Sequence, residues 1–313
     1  MFDLIGDIHG HSDDLVRLLE LLGYRLSEGV YRHPERRRVI FLGDFIDRGP
    51  QIRRVLEIVR PMVEAEAALA VMGNHEFNAL AFHTAHQTQS HAHLRIRDIK
   101  NIRQHGQTIL QLKDTELAHA LSWFRTLPMS LDLDGLRVVH ACWDDSSIAV
   151  IKAAGDKYGG HTNDFMHAAC DKNDPLFHAV EIVLKGKEAA LPDGVSFEDK
   201  DGHVRTSTRV RWYTSPEGKT YRTYALTDTI NCDDLLEQST MKNASSYPAT
   251  AKPVFVGHYW LSGDRPAILA DNVACVDYSV AKGGFLCAYR WHGEQKLSND
   301  NFVWVRSGQI HQD

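Results

Sequence analysis

Three short segments in the first quarter of the chain carry the side chains with the most chemical reach: Gly6-Asp7-Ile8-His9-Gly10, Gly43-Asp44-Phe45-Ile46-Asp47-Arg48-Gly49 and Gly73-Asn74-His75-Glu76. Each follows an apolar run and sets Asp, His or Asn beside Gly. Carboxylate, imidazole and amide oxygen are ligands for divalent cations. Mixed nitrogen and oxygen ligation suits Mn²⁺, Fe or Zn²⁺ better than Mg²⁺ or Ca²⁺. Asp7 and His9 offer two ligands from one loop, and Asp44 can bridge two ions with its two oxygens. Asn74 adds a neutral oxygen, and His140 and His258 add imidazoles from later in the chain. The expected sets are Asp7, His9 and Asp44 for one ion, and Asp44, Asn74, His140 and His258 for the other. Mn²⁺ is the first choice for both.

That constellation points to phosphate ester hydrolysis. Two ions roughly 3.5–4 Å apart can share a water and acidify it toward neutrality, giving a bridging hydroxide that attacks phosphorus in line. His75, beside the ligand Asn74, is left free of metal and can protonate the leaving oxygen. Asp47 can hydrogen-bond that imidazole, fix its tautomer and favour its charged form. Arg48 offers a planar fork to phosphate oxygens, with Asn74 close by. Arg211, or its neighbour Arg209, is a further candidate for phosphate binding. Phosphate monoester hydrolysis needs accelerations of up to ~10²¹. A single acid or base supplies about 10²–10⁴, so charge stabilisation by metals and preorganised donors must carry most of the rest.

The elements that hold these loops are legible as a strand–loop–helix rhythm. Strands are expected at 2–5, 39–42 and 67–72, and helices at 12–22, 51–65 and from Glu76 onward. Ser12 is the expected N-cap of the first helix. Alternation of this kind implies an α/β core with functional groups on loops at the carboxyl ends of strands. Residues 83–113 break the rhythm as a helical or looped insertion. Its histidines (His83, His86, His91, His93 and His105) read as polar surface. A helix is expected over 114–125. A hairpin at Asp134-Gly135 joins strands 128–133 and 136–139 and delivers His140. The stretch 144–250 is more polar and reads as an irregular cap insertion. Within it a helix is expected at 174–185, a hairpin about Asp201-Gly202 and a loop over 242–250. Pro253-Val254-Phe255-Val256 restores the core and delivers His258, and mostly antiparallel strands at 266–270, 273–277, 284–291 and 302–305 finish the chain. The whole reads as a single domain, 1–313, carrying two insertions. Trp143, Trp212 and Trp260 read as core packing.

With 313 residues and 43% hydrophobic content, the chain can bury a substantial core. A net charge of −6 gives no electrostatic reason for nucleic acid or an anionic membrane as a partner. The five cysteines are scattered, with no Cys-x-x-Cys pair, which argues against a disulfide framework or zinc finger. No basic leader and no bilayer-length apolar run is visible, so a soluble cytoplasmic setting is expected.

Taken together, the three opening segments, the strand-end His140 and Gly257-His258 resemble the calcineurin-like metallophosphoesterases. The similarity is greatest to the phosphoprotein phosphatase branch, with its bacterial serine/threonine phosphatase members and the symmetrical diadenosine-tetraphosphate hydrolases. The resemblance is specific over roughly 1–80, thinner over 130–143 and 253–290, and leaves both insertions uncovered. It implies a central β-sandwich flanked by helices, a dinuclear centre with the ligands given above, and hydrolysis of a phosphoprotein or small phosphate ester. Arg211-Trp212-Tyr213 loosely resembles the family segment that holds a second phosphate-binding Arg. Ala141-Cys142-Trp143 follows His140 where eukaryotic-type phosphatases have a Gly-Gly pair, so the substrate stays open. A dinucleoside-polyphosphate hydrolase is the first alternative. A non-catalytic scaffold is the second, disfavoured because every expected ligand and His75 are present.

Overall fold

The structure, a computed structural model, describes residues 1–198, 202–227, 229–237, 240 and 246–308. Strand β1 (Phe2–Ile5) runs into helix α1 (Ser12–Leu21). A hairpin of β2 (Arg25–Ser27) and β3 (Val30–Arg32) leads to β4 (Arg38–Phe41) and α2 (Ile52–Glu64), and β5 (Ala68–Ala70) runs into α3 (Asn74–His83). Helices α4 (Ile99–Gln111) and α5 (Thr115–Phe124) precede a second hairpin, β6 (Ser130–Asp132) and β7 (Arg137–Val139). Three more helices follow: α6 (Asp145–Tyr158), α7 (Asn163–Cys170) and α8 (Pro175–Lys185).

Residues Lys185–Ala251 form a compact unit of their own, and Met1–Leu184 with Lys252–Asp313 form the other. The smaller unit holds β8 (Glu188–Ala190), β9 (Phe197–Glu198), β10 (Val204–Arg205), β11 (Ser207–Arg209) and the one-turn helix α9 (Tyr221–Tyr224). β8 pairs with β11 and β9 with β10, both antiparallel. Of the expected Asp201-Gly202 turn, residue 201 lies outside the described residues, as do 242–245 of the expected 242–250 loop.

The larger unit closes with β12 (Val254–Val256), β13 (Ile268–Ala270), β14 (Val273–Cys275), β15 (Asp277–Tyr278), β16 (Phe285–Trp291) and β17 (Phe302–Arg306). One of its sheets runs β15-β16-β1-β4-β5, with β17 also on β16; the other runs β13-β14-β12-β7-β6. β1, β4 and β5 are mutually parallel, and β12 is parallel to β7 and β14. Leu4, Ile40, Leu42 and Val71 share one core with Leu136, Val138, Phe255 and Ala274, so the two sheets pack face to face as a sandwich. Central parallel strands are buried on both faces, so even Asp3 on β1 lies inside. It is paired there with Arg37 at 3.0 Å, Arg290 at 3.0 Å and the Tyr24 hydroxyl at 2.9 Å, as a buried charge must be.

Two local expectations shift. Ser12 is the first helical residue, not the cap; His11 holds the cap position, and the Ser12 hydroxyl donates to Gln51 Oε1 at 2.9 Å. The stretch expected to be irregular after 144 contains α6 and α7, whose Asp144 and Thr162 caps accept from Ser147 N and Phe165 N. Among the described residues, no helix is long and apolar enough to cross a membrane.

Candidate active site

Five strands from the two sheets deliver the site at their carboxyl ends. β1 supplies Asp7 and His9, β4 supplies Asp44, Asp47 and Arg48, β5 supplies Asn74 and His75, β7 supplies His140 and β12 supplies His258. Backbone bonds lace the loops together. Ile8 N and His9 N both donate to Asp44 O (3.1 and 2.8 Å), and Gly49 N donates to His9 O (2.8 Å). Packing is so close that a Cβ on Gly73 would stand 2.2 Å from Asp44 Oδ1, and one on Gly257 2.2 Å from Asp7 Oδ1. Twelve non-glycine residues among those described have positive φ. Six of them are here: His9 (47°), Asp44 (53°), Asp47 (66°), Arg48 (60°), His258 (70°) and Trp260 (51°). Such conformations cost about 1–3 kcal/mol each and concentrate at functional sites.

Glu76 braces these loops. Its carboxylate accepts from Asp44 N (2.8 Å), Phe45 N (2.9 Å) and Gly73 N (3.0 Å), while Asp44 Oδ1 accepts from His75 N (2.9 Å). Burial and the Asp44 charge push Glu76 up to about 7. Asp277 plays the same part for the β12 loop, its two oxygens accepting from Trp260 N (2.6 Å) and Ser279 N (3.0 Å). Neither carboxylate was singled out as a site residue from its spacing.

The donor atoms converge in two groups that share Asp44: His9, Asp44 and His75, and Asp44, His140 and His258, each within 4.8 Å. His140 Nδ1 donates to Leu42 O (2.6 Å), which leaves Nε2 as a lone pair facing Asn74 Oδ1 (3.1 Å) and Asp44 Oδ2 (3.4 Å). His258 Nδ1 lies 2.7 Å from the same Asn74 Oδ1. His9 repeats the pattern. Its Nδ1 donates to Ile46 O (2.8 Å), and its buried Nε2 has no hydrogen-bond partner among the described residues, with Asp44 Oδ2 at 3.6 Å. Acceptor atoms that face one another in a buried space need a cation or a proton between them. Burial and the charges of Asp277 and Asp44 push the Asp7 carboxyl well up, and burial with its neighbour His75 pushes His9 down to about 3. Buried carboxylates beside imidazoles such as His9 and His140, whose Nδ1 is already spent on a backbone carbonyl, form the donor set that divalent ions fit. Asp7 accepts from His258 N (3.1 Å), which ties the first loop to the last.

His75 and Asp47 form a dyad, with His75 Nδ1 2.6 Å from Asp47 Oδ2 and His75 Nε2 3.9 Å from Asp44 Oδ2. Burial opposes the charged imidazole, but the Asp44 and Asp47 carboxylates outweigh it and raise the His75 pKa. Burial likewise opposes the Asp47 carboxylate, yet hydrogen bonds from His105 and His75 hold it below the usual range. Two expectations change here. His105 is not polar surface; it is 4% exposed and bonds Asp47 Oδ1 at 2.9 Å. Trp260 is not core packing alone. The Arg48 guanidinium carbon lies 4.0 Å from its ring centre and Lys282 Nζ 4.7 Å. Arg211 belongs to the smaller unit, where its Nε donates to Ala225 O (2.9 Å).

The sequence profile of the family described as calcineurin-like phosphoesterase matches residues 1–177. The bis(5'-nucleosyl)-tetraphosphatase PrpE (asymmetrical) of Halalkalibacterium halodurans is 46% identical over 74 residues, 24% of this chain and 30% of that protein. The Bacillus cereus protein of the same name is 44% identical over 75 residues, again 24% and 30%. The match therefore spans under a third of those relatives' length. Among solved structures, a protein serine/threonine phosphatase from Saccharomyces cerevisiae is similar at TM-score 0.48 and 14% identity, covering 100% of this chain and 81% of that one. A cold-active protein-tyrosine phosphatase of a psychrophile Shewanella sp. is similar at TM-score 0.45 and 18% identity, covering 92% and 74%.

Proposed function

The chain belongs to the calcineurin-like phosphoesterases and is a hydrolase of phosphoester bonds; we propose that it cleaves phosphate monoesters with two divalent cations, Mn²⁺ first among them. Asp7, His9 and Asp44 would hold one ion, and Asp44, Asn74, His140 and His258 the other. Fe and Zn²⁺ suit the same donors. When bound, such ions supply Lewis acidity, acidifying water and neutralising charge on the phosphoryl oxygens.

The chain's own residues supply the rest. Arg48, braced on Trp260, engages two phosphoryl oxygens in a planar fork. His75 Nε2 gives its proton to the leaving oxygen, and Asp47 keeps the proton-bearing Nδ1 turned away from the substrate. The observation that carries this reading is the sharing of Asp44 by two donor groups, one of which includes His75, the imidazole that is also bonded to Asp47. Five scattered cysteines, four of them buried, support a reducing, cytoplasmic setting. The chain, 1–313, is one metallophosphoesterase domain carrying its two insertions.

A second reading, hydrolysis of dinucleoside polyphosphates, is favoured by one feature. Arg48 and Lys282 both lie against Trp260, a pairing that matches a ligand with more than one phosphate. The name of the relatives reported above fits this reading too. Turnover of p-nitrophenyl phosphate with Mn²⁺, against a chelated control, tests the activity; no turnover across several metals overturns it. A panel of phosphopeptide, mononucleotide and diadenosine tetraphosphate separates the two substrates. Lys282→Gln should raise KM for the tetraphosphate alone under the second reading. Arg211→Gln in the same panel tests the second phosphate contact.

A further inference from the structure

Asp47 has more partners than a dyad requires. Its Oδ2 is spent on His75 Nδ1 at 2.6 Å. Its Oδ1 accepts from Thr108 Oγ1 at 2.5 Å and from His105 Nδ1 at 2.9 Å, and its own backbone N donates back to Thr108 Oγ1 at 3.0 Å. His105 and Thr108 stand three residues apart on one face of α4, and both are buried. Gln111, on the next turn, accepts from Ile52 N (2.7 Å) and donates to Gly49 O (2.9 Å). The inner face of α4 is thus stitched to the loop that carries Asp47 and Arg48. Both of those residues sit in the left-handed region, at φ 66° and 60°, and such a loop needs external support to hold its shape.

The row of groups goes one step further. His105 Nδ1 donates to Asp47, so its Nε2 shares a single proton with His83 Nε2, 3.1 Å away. His83 ends α3, the helix that begins with Asn74 and His75. The ring of His105 also lies 5.2 Å from that of Phe82. The plane of His105 is therefore fixed from both sides. Arg95, on the segment before α4, is engaged by Asn78 (2.7 Å) and Gln104 (2.9 Å), which closes the back of the arrangement.

We propose that His105, with Thr108, is a positioning residue of the reaction: the pair clamps the Asp47 carboxylate so that Oδ2 meets His75 Nδ1 and His75 Nε2 points its proton at the leaving oxygen. The proposal rests on the acid role assigned to His75 above. It makes α4, inside a segment that reads from sequence as an accessory insertion, a part of the active site. Two carboxylate oxygens with partners on opposite sides cannot rotate without breaking bonds on both. A carboxylate held only by His75 could swing. A poorly aimed acid slows the loss of a basic alkoxide far more than the loss of a phenolate that leaves without help.

The test is the ratio of kcat for an alkyl phosphate, glycerol 2-phosphate, to kcat for p-nitrophenyl phosphate, measured on the Mn²⁺-loaded protein. His105→Ala should lower that ratio by about tenfold or more, part of the ~10²–10⁴ that a general acid supplies. Thr108→Val should lower it less. His105→Asn, which can still donate from the place of Nδ1, should recover most of the loss. An equal fall on both substrates in His105→Ala and Thr108→Val would mean a structural role only and overturns the proposal, as does an unchanged ratio. His75→Ala is the reference: if it lowers the ratio and the two α4 variants do not, only the clamp fails. If His75→Ala leaves the ratio unchanged, the acid assignment fails and the clamp with it.

Discussion

Replacing Glu76 removes the acceptor of three buried backbone N–H groups, those of Asp44, Phe45 and Gly73, at 2.8, 2.9 and 3.0 Å. An orphaned buried donor costs roughly 1–3 kcal/mol, so Glu76→Ala loses about 3–9 kcal/mol if all three stay unsatisfied. A water entering the vacated space can accept from two of them, which leaves a loss of about 1–3 kcal/mol as the floor. Glu76→Gln keeps one acceptor oxygen. Placed where Oε2 now accepts from Asp44 and Gly73, it retains two bonds and turns its NH₂ on Phe45 N. The expected order of stability is wild type, then Gln, then Ala. A total stability of roughly 5–15 kcal/mol makes the Ala variant marginal. Urea unfolding of protein stripped of metal by a chelator reads the effect without the stabilisation that bound ions add. A Glu76→Ala protein that unfolds within about 0.5 kcal/mol of wild type would refute the bracing role, because the same reasoning sets a floor above that.

Asp44→Asn should lower metal occupancy at both positions together, since both donor groups share this carboxylate; elemental analysis showing two full equivalents would contradict the sharing. His83 gives a pH signature of its own. Burial, with the neighbouring His105, lowers it from an ordinary 6.5 to about 4. Between those values the unfolded chain holds a proton that the folded chain does not, so stability falls as pH drops from about 6.5 to about 4 and no further on this account below it. His83→Gln should flatten that segment of the stability profile. A variant with the same slope as wild type would show that His83 does not titrate as its burial implies.

The opening loops were legible because each ligand sits directly after a buried strand, where side chains have only one place to go. His140 and His258 were legible for the same reason, though 251 residues separate His258 from its partner Asp7. The helical clamp was not legible. His105 lies among other histidines in a polar stretch, and no spacing separates an imidazole aimed at Asp47 from one facing water. Its only trace is the three-residue step to Thr108, which has meaning once a helix and a partner are known. Helices α6 and α7 were obscured because little of their sequence marks an inner face: of α6 only Ser147 and Ile151 are buried, and α7 is eight residues long. Their caps, Asp144 and Thr162, were the available signal. Asp277 was hidden at a strand that is buried on both faces, where a lone carboxylate gives no sign in sequence of being enclosed by tertiary packing.

The central claim is that two cations sit on either side of Asp44. Anomalous diffraction from crystals grown with Mn²⁺ examines it directly. The account predicts two peaks, one among Asp7, His9 and Asp44 and one among Asp44, Asn74, His140 and His258. A single peak, none, or peaks away from Asp44 would contradict it.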